Sequence, residues 1–344
     1  MNQRLSNIEL LRCLSMFMVL LLHSSFMAFG MPDMEAIRNS PVLLGGRILQ
    51  QGICIVAVDV FVLISGWFSI KPKQKSICSF LFQIVFLQIL SYVVFVFTGL
   101  VELNKESIKD LMMLKPFQGW FIKAYLLLYI ISPVLNAFVE NASKRKLRNV
   151  LIAYWSFLIL LGWVFDATDY INNGYSVVSF VGLYLMARYM KVWCPKWARK
   201  DKKKDIIIYF LCCVVFFCII FFGGLLGVSQ TSFWAWKLCS YVSPLTVIGA
   251  VYLLLFFSKL KINNSFVNLC GKGCFSVYLL HGLWGYWFDI LKYIDITYSG
   301  IIYMLSLLSF LIIVYFCCIF VDLLRIRVWT VIEKIIIKNS KKQN

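Results

Sequence analysis

The sequence predicts an all-α integral membrane protein of about ten transmembrane helices, with both termini cytoplasmic and no soluble domain. Three observations carry that expectation. Hydrophobic residues fill 61% of the 344 positions and charged residues only 15%, for a mean hydropathy of +0.82, a balance far from that of a soluble domain. Apolar windows of roughly 20 residues, the length that crosses ~30 Å of hydrocarbon, fall at 8–29, 53–70, 77–99, 119–139, 150–166, 175–193, 206–227, 236–257, 266–288 and 301–322. With the N-terminus in the cytoplasm, 25 of the 34 Lys and Arg lie on the cytoplasmic side and eight on the other, with Arg12 inside the first window. That is the bias of the positive-inside rule.

The first window is too long for a signal peptide, contains Arg12, and is not followed by a small-residue cleavage site, so it reads as a retained span. The second carries Asp59 and the small pair Ser65-Gly66, a place for close helix approach. The fourth opens on Trp120 and Tyr125, which an aromatic belt explains, and carries Asn136 after Pro133. The turn "DATDYINNG" (166–174) between the fifth and sixth windows reads as a solvated outer loop. After the sixth comes the basic stretch "ARYMKVWCPKWARKDKKKD" (187–205), a topology signal resting on anionic headgroups or an attractor of a polyanionic cytosolic ligand. The ninth window holds Ser276, Tyr278 and His281, and the tenth is followed by a basic cytoplasmic tail, 323–344. The chain therefore reads as one membrane domain, 1–322, plus that tail.

The net charge of +18 does not point to nucleic acid, because the cations sit between apolar segments facing the bilayer. The twelve cysteines lie almost entirely within apolar windows and form no CxxC pair. They read as small hydrophobes, with neither disulfides nor a metal site expected.

An ionisable group at the centre of a span costs roughly 2.5–3.5 kcal/mol on insertion scales, so it normally faces the bundle interior and marks function. Arg12 and His23 are eleven residues apart, which at 100° per residue falls within about 20° of three full turns. Both side chains share one helix face, roughly 16 Å apart along the axis. Glu9, one turn before Arg12, is its candidate ion-pair partner. His23 is one of two histidines in the chain and is a candidate general base or nucleophile. Asp59 must be protonated or paired wherever it faces, with Arg12 and His23 as candidate partners. His281, with Ser276 and Tyr278 on the same helix, reads equally as a second functional element or a packing residue.

These stretches bear a resemblance. "IELLRCLSMFMVLLLH" resembles the first-helix signature of the acyltransferase 3 family of membrane O-acyltransferases, an arginine and a histidine separated by ten residues, with an acidic residue three before the arginine. "VDVFVLISGWF" is similar to that family's second-helix motif, "FSVYLLHG" to its late-helix motif and "GWFIKAYLLLYIISPVLN" to its fourth-helix stretch. The resemblance implies an enzyme of the inner cell membrane. It would move an acyl group, most often acetyl from cytosolic acetyl-CoA, to a hydroxyl of a cell-envelope or lipid-linked carbohydrate. By position it makes His23 the catalytic histidine and Arg12, with Glu9, its companion in donor binding. Asp59, Ser65, Trp120, Tyr125, Ser276, Tyr278 and His281 follow as substrate-binding or structural residues. Where many relatives carry an arginine-rich cluster after the second helix, this chain has only Lys71, Lys73 and Lys75, point charges for CoA phosphates without the bidentate fork of arginine. A transporter or flippase for a lipid-linked glycan is the competing reading, since inward polar groups also suit a translocation path.

Overall fold

The computed structural model describes residues 5–111, 119–167, 169–199, 201–281 and 286–343, and every regular element among them is a helix. Seven segments among the described residues are long and apolar enough to cross a membrane: Ser6–Phe29, Pro41–Phe68, Gln74–Phe97, Trp120–Asn141, Lys144–Val164, Lys202–Leu226 and Gly300–Lys334. The other three expected windows hold shorter helices, Val177–Trp193, Pro244–Ser258 and a broken Ser265–Leu280. Residues 282–285 of the 266–288 window lie outside the described residues.

The chain divides into two compact units, Met1–Lys71 with Gly119–Ser265, and Pro72–Gln118 with Phe266–Asn344. In the first unit, the Lys202–Leu226 helix shows how lipid sets the pattern. Tyr209, Cys213, Phe216 and Ile220 recur at helical spacing and are buried, while Ile207, Phe210, Leu211, Val214 and Phe222 point outward. Both faces are apolar because one meets protein and the other lipid. With lipid as apolar as leucine, such helices associate through close packing rather than the hydrophobic effect. The Ala57–Phe68 and Val177–Trp193 helices come closest where Gly66 lies: a Cβ there would sit 2.5 Å from Tyr184 O and 2.8 Å from Ala187 Cβ. Gly66→Ala is therefore expected to destabilise the bundle by about 1–3 kcal/mol through overpacking, read as a lowered thermal midpoint in detergent; an unchanged midpoint would refute this packing account.

Two spans break where the sequence reads smoothly. The first helix ends at His23, and after a turn at Ser24-Ser25 a single turn, Phe26–Phe29, follows. The carbonyl this frees on Leu21 accepts from Gln50 Nε2 at 2.7 Å and from Ser24 Oγ at 3.0 Å. The second span begins at Pro41, twelve residues before the expected start at 53, and breaks at Ile55-Val56. Gly45, Gly46, Arg47, Gln50, Gln51 and Gly52 dilute its hydropathy, yet Gly45 and Gly52 let Phe221 and Phe216 pack on its backbone. Tyr209 Oη donates to Ile53 O at 2.7 Å beside the break. Inside a bilayer every backbone carbonyl left over at a helix end needs such a partner. The same holds at Phe68–Ile70. There Asn136 Nδ2 donates to Ile70 O (2.8 Å), Ile70 N to Tyr184 Oη (3.0 Å), and Tyr184 Oη and Ser69 Oγ to Asn136 Oδ1 (2.7 and 3.1 Å).

The second unit packs the Gln74–Phe97 helix, the short Phe275–Leu280 helix and the long Gly300–Gln343 helix. The expected boundary between span and tail at 322 falls inside this last helix. Its buried polar centre is Asp322, which accepts from Arg325 Nε (2.8 Å) and Nη2 (3.0 Å) and from Gln83 Nε2 (2.9 Å).

Candidate active site

The first helix organises the polar interior of the first unit. Arg12 Nη1 donates to both carboxylate oxygens of Glu9 at 3.0 Å, the pairing that i, i+3 spacing permits. Tyr125 lies within electrostatic reach of Arg12, and its hydroxyl is 3.0 Å from Ser65 Oγ, which also lies 3.1 Å from Phe61 O. Glu9, Arg12, Ser65 and Tyr125 thus belong to one polar stretch running between helices.

His23 is the last residue of the first helix before the break. It lines a cavity of about 290 Å³ with Gln51, Asn173, Tyr175, Trp236, Ser240 and Tyr241 among the other lining residues. Three distant segments build these walls. The 172–175 turn is pinned because Tyr241 N donates to Asn173 O at 2.9 Å and Ser240 Oγ donates to the same oxygen at 3.1 Å. Gly174, at φ +89°, makes that turn and meets Tyr241 so closely that a Cβ would lie 2.6 Å from Tyr241 Cβ. Trp120 stands behind this wall, its ring centroid 4.5 Å from Tyr175 and 5.8 Å from Tyr241. It packs in an aromatic cluster, because Tyr175, Tyr241 and Phe180 converge on the start of its helix.

Asp59 is completely buried in the first turn of the Ala57–Phe68 helix, and neither carboxylate oxygen has a hydrogen-bond partner among the described residues. The expected pairing with Arg12 or His23 is not formed, since Glu9 on the same helix holds the guanidinium. Tyr241 is within electrostatic reach of Asp59.

The remaining sequence candidates lie in the second unit or at its edge. Lys71 closes the first unit and Lys73 precedes the Gln74–Phe97 helix. Lys75 forms an ion pair with Glu333, so its charge is already engaged. Ser276 Oγ donates to Gly273 O (2.6 Å) and Cys318 O (2.8 Å), a packing role. His281 is buried with Nδ1 2.7 Å from Val277 O and its ring edge-on to Trp287 at 5.3 Å; Tyr278 stacks on Phe275 at 5.8 Å. None of these belongs to the lining of the His23 cavity. Gln51, Asn173, Tyr175, Trp236, Ser240 and Tyr241 escaped the sequence reading. Only the "NN" and Gly of 172–174, a turn signal, hinted at a built loop.

A bundle of apolar helices whose interior holds an ion pair, a chain of hydroxyls and a histidine at a cavity defines a multi-pass membrane protein with a polar site inside it. A family model described as an acyltransferase domain, that of the acyltransferase 3 family, matches residues 5–323; the chain belongs to this family and is a membrane acyltransferase. Comparison with curated proteins and with solved structures finds no match.

Proposed function

We propose that the protein transfers an acyl group, acetyl foremost, from cytosolic acyl-CoA to a hydroxyl of a cell-surface or lipid-linked carbohydrate in the cytoplasmic membrane, with His23 at the chemistry. The observation that carries this reading is the position of His23. It ends the helix that also carries Glu9 and Arg12, and it opens onto a cavity large enough for a small group.

The donor enters from the end of the first unit that carries Ser6, its phosphates near Lys71 and its pantetheine arm running past Arg12 and Tyr125. The acceptor hydroxyl lies in the cavity. As its oxygen attacks the thioester carbonyl, His23 accepts its proton; the C–S bond then breaks, and the imidazolium returns the proton to the departing thiolate, releasing CoA as the thiol. In the covalent variant the imidazole nitrogen attacks the thioester carbonyl, the C–S bond breaks and CoA leaves as thiolate; the acceptor oxygen then attacks the acyl-imidazolium, the N–C bond to His23 breaks, and the hydroxyl proton passes to the thiolate. Either route leaves protons and charge balanced.

The test uses purified protein in liposomes with acetyl-CoA, measuring free CoA with and without a crude envelope glycan. Glycan-stimulated release is the expected result, and release that ignores the glycan would sink the reading. Arg12→Gln is expected to raise the KM for acetyl-CoA roughly 10- to 100-fold, the scale of a lost charge-assisted hydrogen bond of about 1.5–3 kcal/mol. An unchanged donor KM would remove Arg12 from the donor path.

A further inference from the structure

The cavity beyond His23 has more built into it than an imidazole. Gln51 and Asn173 both line it, and the carboxamide oxygen of each is buried with no hydrogen-bond partner among the described residues. Gln51 is only 6% exposed, and its amide nitrogen already donates to Cys239 Sγ at 3.5 Å, so the oxygen is the group left over. Asn173 sits in the left-handed region at φ +51°. Its backbone carbonyl is taken by Tyr241 N and Ser240 Oγ, which leaves the carboxamide oxygen as its unused acceptor. Buried acceptors without donors are rare in folded proteins and mark a site completed by something else. The missing molecule must bring O–H or N–H groups.

The rest of the lining narrows its class. Tyr175 and Tyr241, with ring centroids 4.9 Å apart, line the cavity together with Trp236. Aromatic faces beside hydrogen-bonding amides suit a molecule with an apolar face and a hydroxylated rim. A sugar ring has that form. At about 290 Å³ the cavity stands at the small end of ligand pockets, so it takes one ring and not a length of glycan.

We infer that Gln51 and Asn173 are specificity-determining residues of the acceptor subsite. They accept hydrogen bonds from two hydroxyls of one sugar ring laid against Tyr175, Tyr241 and Trp236, so that a third hydroxyl meets His23. This rests on the reading that His23 carries the acyl chemistry.

The test is binding rather than turnover, so that the two claims fail separately. Protein in nanodiscs is titrated with a panel of methyl hexosides and methyl hexosaminides, following tryptophan fluorescence, with butanol as a hydroxyl-bearing control. At least one glycoside should saturate on the wild type, and butanol should not. Gln51→Met keeps side-chain length without the acceptor, and Asn173→Gly removes the carboxamide while suiting the left-handed backbone. Each should weaken glycoside binding tenfold or more with the thermal midpoint unchanged. Asn173→Asp, which keeps an acceptor oxygen, should bind within threefold of the wild type. The assignment is overturned by any of three results: no glycoside saturates on the wild type, Gln51→Met and Asn173→Gly bind as well as the wild type, or Asn173→Asp is as weak as Asn173→Gly. Glycoside binding that persists while CoA release ignores His23 would instead refute the acyl-transfer role of that residue and leave the subsite standing.

Discussion

His23→Ala lowers acyl transfer by about 10²- to 10⁴-fold, the range that a positioned general base contributes. The loss is expected in kcat, because in the proposed reaction the imidazole acts on the reacting hydroxyl or carbonyl and not on the distant parts of either substrate. It should not reflect misfolding. The helix end at His23 is held by Gln50 Nε2 on Leu21 O and by Ser25 Oγ on Arg47 O (3.3 Å), bonds that the alanine variant keeps. Steady-state kinetics beside a thermal unfolding scan separates the two effects. A variant with wild-type kcat would remove His23 from the chemistry.

Gly174→Ala should produce the largest structural damage near the site. Two independent costs meet there. A non-glycine residue pays about 1–2 kcal/mol for a left-handed backbone, and the added methyl would sit 2.6 Å from Tyr241 Cβ and 3.0 Å from its carbonyl carbon, an overpacking worth about 1–3 kcal/mol. Together they amount to about 2–5 kcal/mol. The strain falls on the wall that holds Asn173, Ser240 and Tyr241 in place. The variant is expected to show a lowered thermal midpoint and a raised acceptor KM, with the donor KM little changed. An unperturbed midpoint and acceptor KM would show that the 172–175 turn does not brace the cavity.

Much of the bundle was legible in the sequence because bilayer thickness imposes a length and an apolar composition that hydropathy windows detect. The Glu9–Arg12 pair was legible for a similar reason: both partners lie on one helix, at a spacing whose geometry is known beforehand. The breaks were not. Ser24-Ser25 sits in an apolar run, and what stabilises the break is Gln50, 26 residues beyond Ser24 in sequence. Likewise the start of the second span at Pro41 was hidden by Gly45 and Gln50, which a window scores as polar and which the bundle uses for close packing and capping.

The cavity was harder still. Its walls come from residues 22–31, 51–55, 173–175 and 236–241, and no local pattern links them. The turn "DATDYINNG" looks solvated by composition, yet Asn173 and Tyr175 point the same loop at the site. Asp59 was legible as a buried carboxylate, while the choice between protonation and pairing was not, because the candidate cation Arg12 has a nearer partner on its own helix. His281 and Ser276 carry the same kinds of side chain as His23 and Ser65, and in the second unit they hydrogen-bond to backbone carbonyls of Val277 and Cys318.

The central claim is that His23 moves an acyl group onto a carbohydrate hydroxyl. It is tested most directly with acetyl-CoA radiolabelled in its acetyl group, incubated with envelope glycan and either wild-type protein or a stably folded His23→Ala variant in liposomes. The account predicts label on the glycan with the wild type and none above background with the variant. Equal labelling by both proteins, or label that never leaves CoA in the presence of active wild type, would contradict it.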